Sequence, residues 1–218
     1  MIEYSKNILP LAKVKTFIVI LYSVGILGFL FPNSRNIFIA VTPFVLLLST
    51  YLLAIYHPKF FKRDLLLFFI IFFLGFLIEA IGVNTGLIFG NYSYGSALGI
   101  KLFNTPLLIG LNWLFLTYTG VSISEKITDK IALQLIIAPS LMLLYDLILE
   151  QIAPIMDMWS WASSTVPVKN YIAWWVIGFI FTVIFKIFKV NTNNPLALIL
   201  FICQFLFFMI LFFVYNLL

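Results

Sequence analysis

Seven stretches of this chain are each long enough and apolar enough to cross a lipid bilayer, and that feature decides most of what it can fold into. They run over about residues 15–31, 37–56, 65–82, 105–124, 131–151, 171–188 and 195–216, against the roughly 20 residues that a span requires. In hydrocarbon every backbone N–H and C=O must be paired inside its own segment or in a closed barrel, so runs of this length become helices. The expected fold class is all-α, a polytopic transmembrane helix bundle of about seven spans. Of the 218 residues 63% are hydrophobic and only 10% charged. That leaves no stretch for a separate soluble domain, and 1–218 reads as a single transmembrane domain. Lysines precede the first span but no small-residue cleavage site follows it, so it reads as a retained helix and not a signal peptide.

The charges give the orientation. Lys6, Lys13, Lys15, Lys59, Lys62, Arg63, Lys126, Lys130, Lys186 and Lys189 fall on the side of the N-terminus, and only Arg35, Lys101 and Lys169 on the other. By the positive-inside rule the N-terminus is expected in the cytoplasm and the C-terminus outside. The net charge of +5 is thus a topology signal, and no nucleic-acid partner is expected. One histidine (His57) and one cysteine (Cys203) cannot make a His/Cys metal cluster or an internal disulfide. Cys203, within an apolar run, reads as packing.

The connectors on the basic side, HPKFFKRD, SEKITDK and KIFKVNTNN, read as solvated turns, and so do the acids on that side: Glu3, Asp64, Glu125 and Asp129. The two long loops, 83–104 and about 152–170, lie on the opposite side. They are rich in aromatic, glycine and small polar residues, a composition that suits a functional segment ordered against the bundle. A faint repeat joins them. Glu79 stands thirteen positions before Tyr92 of YSY, and Asp146 thirteen before Trp159 of WSW. This suggests parallel repeat units 65–124 and 131–188.

The other four acids, Glu79, Asp146, Glu150 and Asp157, all belong to that opposite half. Asp146 and Glu150, four apart on one helix, share a face. A charged carboxylate in hydrocarbon is costly, so such residues turn inward and mark a site; the plain alternative is that they snorkel to the interface. Carboxyls gathered in an apolar cavity suit acid–base chemistry or proton movement. Asn112, Asn84 and Thr85 are polar candidates beside them, with helix–helix hydrogen bonding as the alternative role. Tyr92, Tyr94, Trp159, Trp161, Trp174 and Trp175 suit an aromatic cavity wall or an interfacial belt.

The string EAIGVNTGLIFGNYSY at 79–94 resembles the membrane-embedded carotenoid hydratases, as do GIKLFNTP at 99–106 and Asn112–Trp113. DLILE at 146–150, WSW at 159–161, VPVKNY at 166–171 and Trp174 extend the likeness to roughly residues 79–175. Gln151 and the Asp157–Met158 pair depart from the pattern. The resemblance implies a cofactor-free, metal-free carotenoid hydratase, a hydro-lyase. Such an enzyme adds water to the terminal isopropylidene double bond of an acyclic polyene drawn from the bilayer, in the cytoplasmic membrane of a prokaryote. Within that chemistry Asp146 or Glu79 is the expected proton donor, Glu150 the base that activates water and Asn112 an orienter. Asn84, Tyr92, Tyr94, Trp113, Trp159, Trp161, Asn170 and Trp174 are the expected substrate-binding residues.

Three other readings share these residues. A membrane lycopene cyclase protonates the same end group but captures the cation with an internal alkene. A prenyltransferase would use the Asp146-x-x-x-Glu150 spacing for Mg²⁺–diphosphate, yet only Lys101 and Lys169 are near to meet phosphate. A small-molecule or proton-coupled transporter needs polar residues through to the basic side, where LLLFFIIFF and IALQLIIA offer only Gln134.

Overall fold

The computed structural model describes residues 9–163 and 165–217; Glu3 and Lys6 lie outside that range. Seven helices carry the apolar runs: α1 (Leu11–Leu30), α2 (Pro32–Ile55), α3 (Lys62–Thr85), α4 (Leu108–Ile127), α5 (Ile131–Ile152), α6 (Val168–Phe188) and α7 (Ala197–Leu217). At 20 to 24 residues each, they match the hydrocarbon thickness at 1.5 Å per residue. Pro32 starts α2 where a missing N–H costs nothing.

The exterior is apolar as well as the core. Phe44, Phe69, Phe103, Ile172 and Phe213 stand exposed on the surface, an arrangement that suits lipid and not water. Six of the seven helices are long and apolar enough to cross a membrane, which makes this a multi-pass membrane protein. The exception, α4, carries Asn112, Thr117, Thr119, Ser122 and Ser124. It packs against α2, α3, α5, α6 and α7, and fourteen of its twenty residues are buried. Its polar groups therefore meet protein instead of lipid; Thr117 and Thr119, for example, bond back to the carbonyls of Trp113 and Phe115. The helix that looks least like a span is the axis of the bundle. Gly110 permits its closest approach: a Cβ there would lie 2.4 Å from the Phe72 carbonyl of α3.

The basic end differs from a set of solvated turns. Asp64 is buried, accepting from the Phe61 N–H and lying beside the equally buried His57. Glu125 takes the Lys186 ammonium at 2.6 Å and the Thr192 hydroxyl. Asp129 is exposed. The Glu125 contacts tie the end of α4 to α6 and the α6–α7 connection, and the Arg63 guanidinium reaches the Lys189 carbonyl from the start of α3.

At the other end the long loops are ordered, and each contains strand that a helical reading does not anticipate. β1 (Tyr92–Tyr94) pairs antiparallel with β4 (Trp159–Trp161), in the register Tyr92–Trp161, Ser93–Ser160, Tyr94–Trp159. β2 (Lys101–Leu102) and β3 (Thr105–Pro106) form a small hairpin. Period-2 alternation sends the four rings toward the bundle and both serines outward. Asp157 clasps the two loops. Its carboxylate accepts from the Ser96 N–H and hydroxyl, and those bonds hold it below the usual carboxylate range. Gly95 lies so close to the Asp157 carbonyl that a side chain there would overlap it.

Candidate active site

The β1–β4 ladder hangs its rings over two carboxyls. Glu79, in the last turns of α3, accepts from the hydroxyls of Tyr92 (2.6 Å) and Tyr94 (2.7 Å) on Oε2, and from the indole N–H of Trp113 (2.9 Å) on Oε1. Glu150, near the end of α5, accepts from the indoles of Trp159 (2.9 Å) and Trp161 (2.7 Å) on Oε2, and from the Asn170 amide (3.1 Å) on Oε1. Both are buried, 3% and 4% exposed. Each thus sits beneath the ring–Ser–ring strand that follows it, and the antiparallel pairing of the strands places the two acids across one hollow.

Glu79, Glu150, Tyr92, Tyr94, Trp159, Trp161, Asn170 and Trp174 all line that hollow. Its volume of ≈ 10 Å³ is about what a single water needs. Trp174 stacks on Trp113 with centroids 4.1 Å apart, and Tyr92 lies 5.2 Å from Trp161. Burial, and then the charge of Glu79, keeps the Tyr92 and Tyr94 hydroxyls above the usual tyrosine range, so both remain protonated donors. Phe89 and Ile109 complete the wall. Phe89 had a signal in the GLIFG string but carries no polar atom to draw attention, and Ile109 had none.

Asp146 is fully buried but does not line the hollow. It lies behind Asn170, whose amide bridges Asp146 Oδ2 (3.0 Å) and Glu150 Oε1. Its Oδ1 has no hydrogen-bond partner among the described residues. The acid that receives the ring pair in the second half is therefore Glu150, nine positions before Trp159, and not Asp146.

Three further residues lie elsewhere. Asn84 does not reach the acids; it bonds the Phe103 carbonyl and the Asn104 amide, holding the hairpin turn in which both residues have positive φ. Trp175 points away from the hollow and donates to Ser140. Asn112 faces a neighbouring apolar cavity instead of the carboxyls. The cations of this end are committed to loop carbonyls: Lys101 to Tyr94 and Lys169 to Gly86, each at 2.6 Å. Neither forms an ion pair with Asp146 or Glu150. Among the described residues no group of three or more His, Cys, Asp and Glu is placed to hold a metal ion.

Fold and site together define a class: a membrane-embedded bundle that keeps two hydrogen-bonded carboxyls inside an aromatic box near one end. The family model described as carotenoid biosynthesis protein matches residues 41–218. The chain belongs to that family, and its role lies in carotenoid biosynthesis. No curated protein and no solved structure matches it.

Proposed function

We propose that the protein is a cofactor-independent hydratase that converts the terminal isopropylidene group of an acyclic carotenoid into a tertiary alcohol. The observation that carries this reading is the difference between the donor sets of the two carboxyls across the hollow. Indole and amide N–H groups can only donate. A proton on Glu150 Oε2 would take a lone pair from the oxygen that two indoles share, so this donor set suits an ionised carboxylate. The tyrosine hydroxyls on Glu79 can donate or accept. Glu79 can therefore take up and release a proton on Oε2 without losing its partners.

Glu79 is accordingly the acid and Glu150 the base. Glu79 delivers its proton to the less substituted alkene carbon, leaving a tertiary cation on the other. The faces of Trp161, Trp174 and Tyr92 suit a cation, each such contact contributing about 2 kcal/mol when desolvated. A water in the hollow bonds to the cationic carbon while Glu150 takes its proton. Returning that proton from Glu150 to Glu79 restores the site. One C–H and one C–O bond replace the π-bond and one O–H bond of water, with no change of oxidation state overall. Asn170 holds Glu150 from behind, and Asp146 supports Asn170.

The same geometry disfavours diphosphate chemistry, since Lys101 and Lys169 are bound to carbonyls and Glu150 to indoles. We also assign the N-terminal, basic side to the cytoplasm of a prokaryotic cell, on the positive-inside rule. Pigment mass analysis after expression in cells that make lycopene or γ-carotene tests the reading. Products heavier by one water are expected. A ring-containing product of unchanged mass indicates a cyclase, and an unaltered pigment profile removes the hydratase assignment for those substrates.

A further inference from the structure

Beside the carboxyl hollow lies a second, larger cavity of ≈ 80 Å³, between α1, α2, α4, α5 and α7. Its wall is almost wholly apolar, drawn from residues such as Phe29, Val45, Leu46, Leu149 and Phe207. Ile109 and Trp159 belong to the walls of both this cavity and the hollow. The cavity shares Leu98 and Leu108 with a groove of ≈ 860 Å³ on the outer surface, cut between α2 and the loop that follows β1. Phe44 and Ile100 on the groove are among the most exposed apolar residues, at 67% and 81%, and face lipid in a membrane. Three spaces thus adjoin one another through shared walls: lipid-facing groove, apolar cavity, acid hollow.

Asn112 gives independent evidence that the cavity receives a ligand. Its side chain is 6% exposed, lines the cavity and has no hydrogen-bond partner among the described residues. It sits one turn beyond Ile109 on the same face of α4. The other polar side chains of this wall are committed: Tyr22 to Gln204, and Gln204 to Tyr145.

We infer that this cavity is the binding site for the acyclic polyene, which enters end first from the bilayer through the groove over α2, with Trp159 and Ile109 forming the gate to the carboxyls and Asn112 meeting the new hydroxyl as the product withdraws from the hollow. The inference rests on the hydratase reading and adds the route, the cavity and the gate. An extended hydrocarbon chain is the occupant whose chemistry fits all three spaces: lipid-soluble, nonpolar along its length, and reacting only at its tip. Cavity and hollow are both tighter than the end group as they stand, so the cavity widens as the chain enters, and the tip reaches Glu79 only when Trp159 turns from its place over Glu150. That movement couples entry of the alkene to release of one of the hydrogen bonds on the base.

The test separates binding from turnover. Glu79→Gln protein is isolated in detergent from cells that make lycopene, and the polyene that co-purifies is measured by absorbance per protein. The same measurement is made with Val45→Trp and, separately, Thr42→Trp added, both in the cavity wall on α2 and remote from the acids. Phe213→Trp, on the exposed face of α7, is the control. Protein accumulating in membranes and eluting as a single species establishes folding for each variant. Glu79→Gln and its Phe213→Trp control are expected to retain the polyene. At least one cavity variant folds and retains about tenfold less. Undiminished polyene in both folded cavity variants overturns the binding site while leaving hydration intact. No polyene in Glu79→Gln protein, together with no hydrated product from the unmodified protein, overturns both readings.

Discussion

At the residue scale, the site turns on which atoms can give a proton and which can only receive a bond. Glu150→Gln places an amide NH₂ or a neutral carbonyl beneath two indole N–H groups, and Glu79→Gln removes the transferable proton. Each is expected to lower hydrated product per protein by about 10²–10⁴-fold, the usual reach of a single acid or base. Asp146→Asn retains measurable hydration, because that residue acts only through Asn170. Water-adduct yield by mass analysis checks this, and an equal loss at Asp146 overturns the division of roles. Glu79 was legible in the sequence as an acid in hydrocarbon, as was Glu150. What set Glu150 apart from Asp146 was not, because the two share a helix face and only the indoles of a loop thirteen to fifteen residues beyond Asp146 choose between them.

At the element scale, the site depends on how tightly α3 and α4 meet and on how the two loops pair. Glu79 and Trp113 come from these two helices, and their hydrogen bond holds only while the backbones stay close. Gly110→Ala drives a methyl group against the Phe72 carbonyl, which cannot swing aside as a flexible side chain can. The variant is expected to lose about 1–3 kcal/mol of stability and to lower hydration by displacing Glu79. Thermal unfolding in detergent, alongside product yield, measures both; an unshifted midpoint removes the close-packing argument. The YSY and WSW strings were visible as aromatic loop segments, but their pairing was not. Three residues each are too short for a period-2 signal, and the partners lie almost seventy positions apart.

At the scale of the whole molecule, the chain divides its polar groups between two ends. One holds the carboxyl–aromatic box. The other holds His57, which burial keeps below the usual histidine range even with Asp64 beside it, and which Tyr118 contacts at 2.8 Å. The folded His57 thus binds a proton less readily than the unfolded chain, so stability is lost as pH falls below about 6.5. The melting midpoint in detergent is expected to decline between pH 7 and 5, and His57→Gln to flatten that decline; an identical slope in the variant rules out His57 as its source. This end was misread in the sequence as plain solvated turns. Burial of the loop histidine depends on α4, whose Tyr118 reaches it from sixty-one positions away, and no local pattern encodes that.

Hydropathy along the chain by itself determined that these residues cross a bilayer as helices, since unpaired backbone groups are not tolerated in hydrocarbon. It also singled out Glu79, Asp146 and Glu150 as acids within apolar runs. Only the tertiary structure decided that α4 is the central helix, that tyrosines serve one acid and indoles the other, and that Asn112 faces an apolar cavity. The physical reason is that a span is stabilised within its own twenty residues, whereas the state of a buried carboxyl is set by donors brought to it from distant segments.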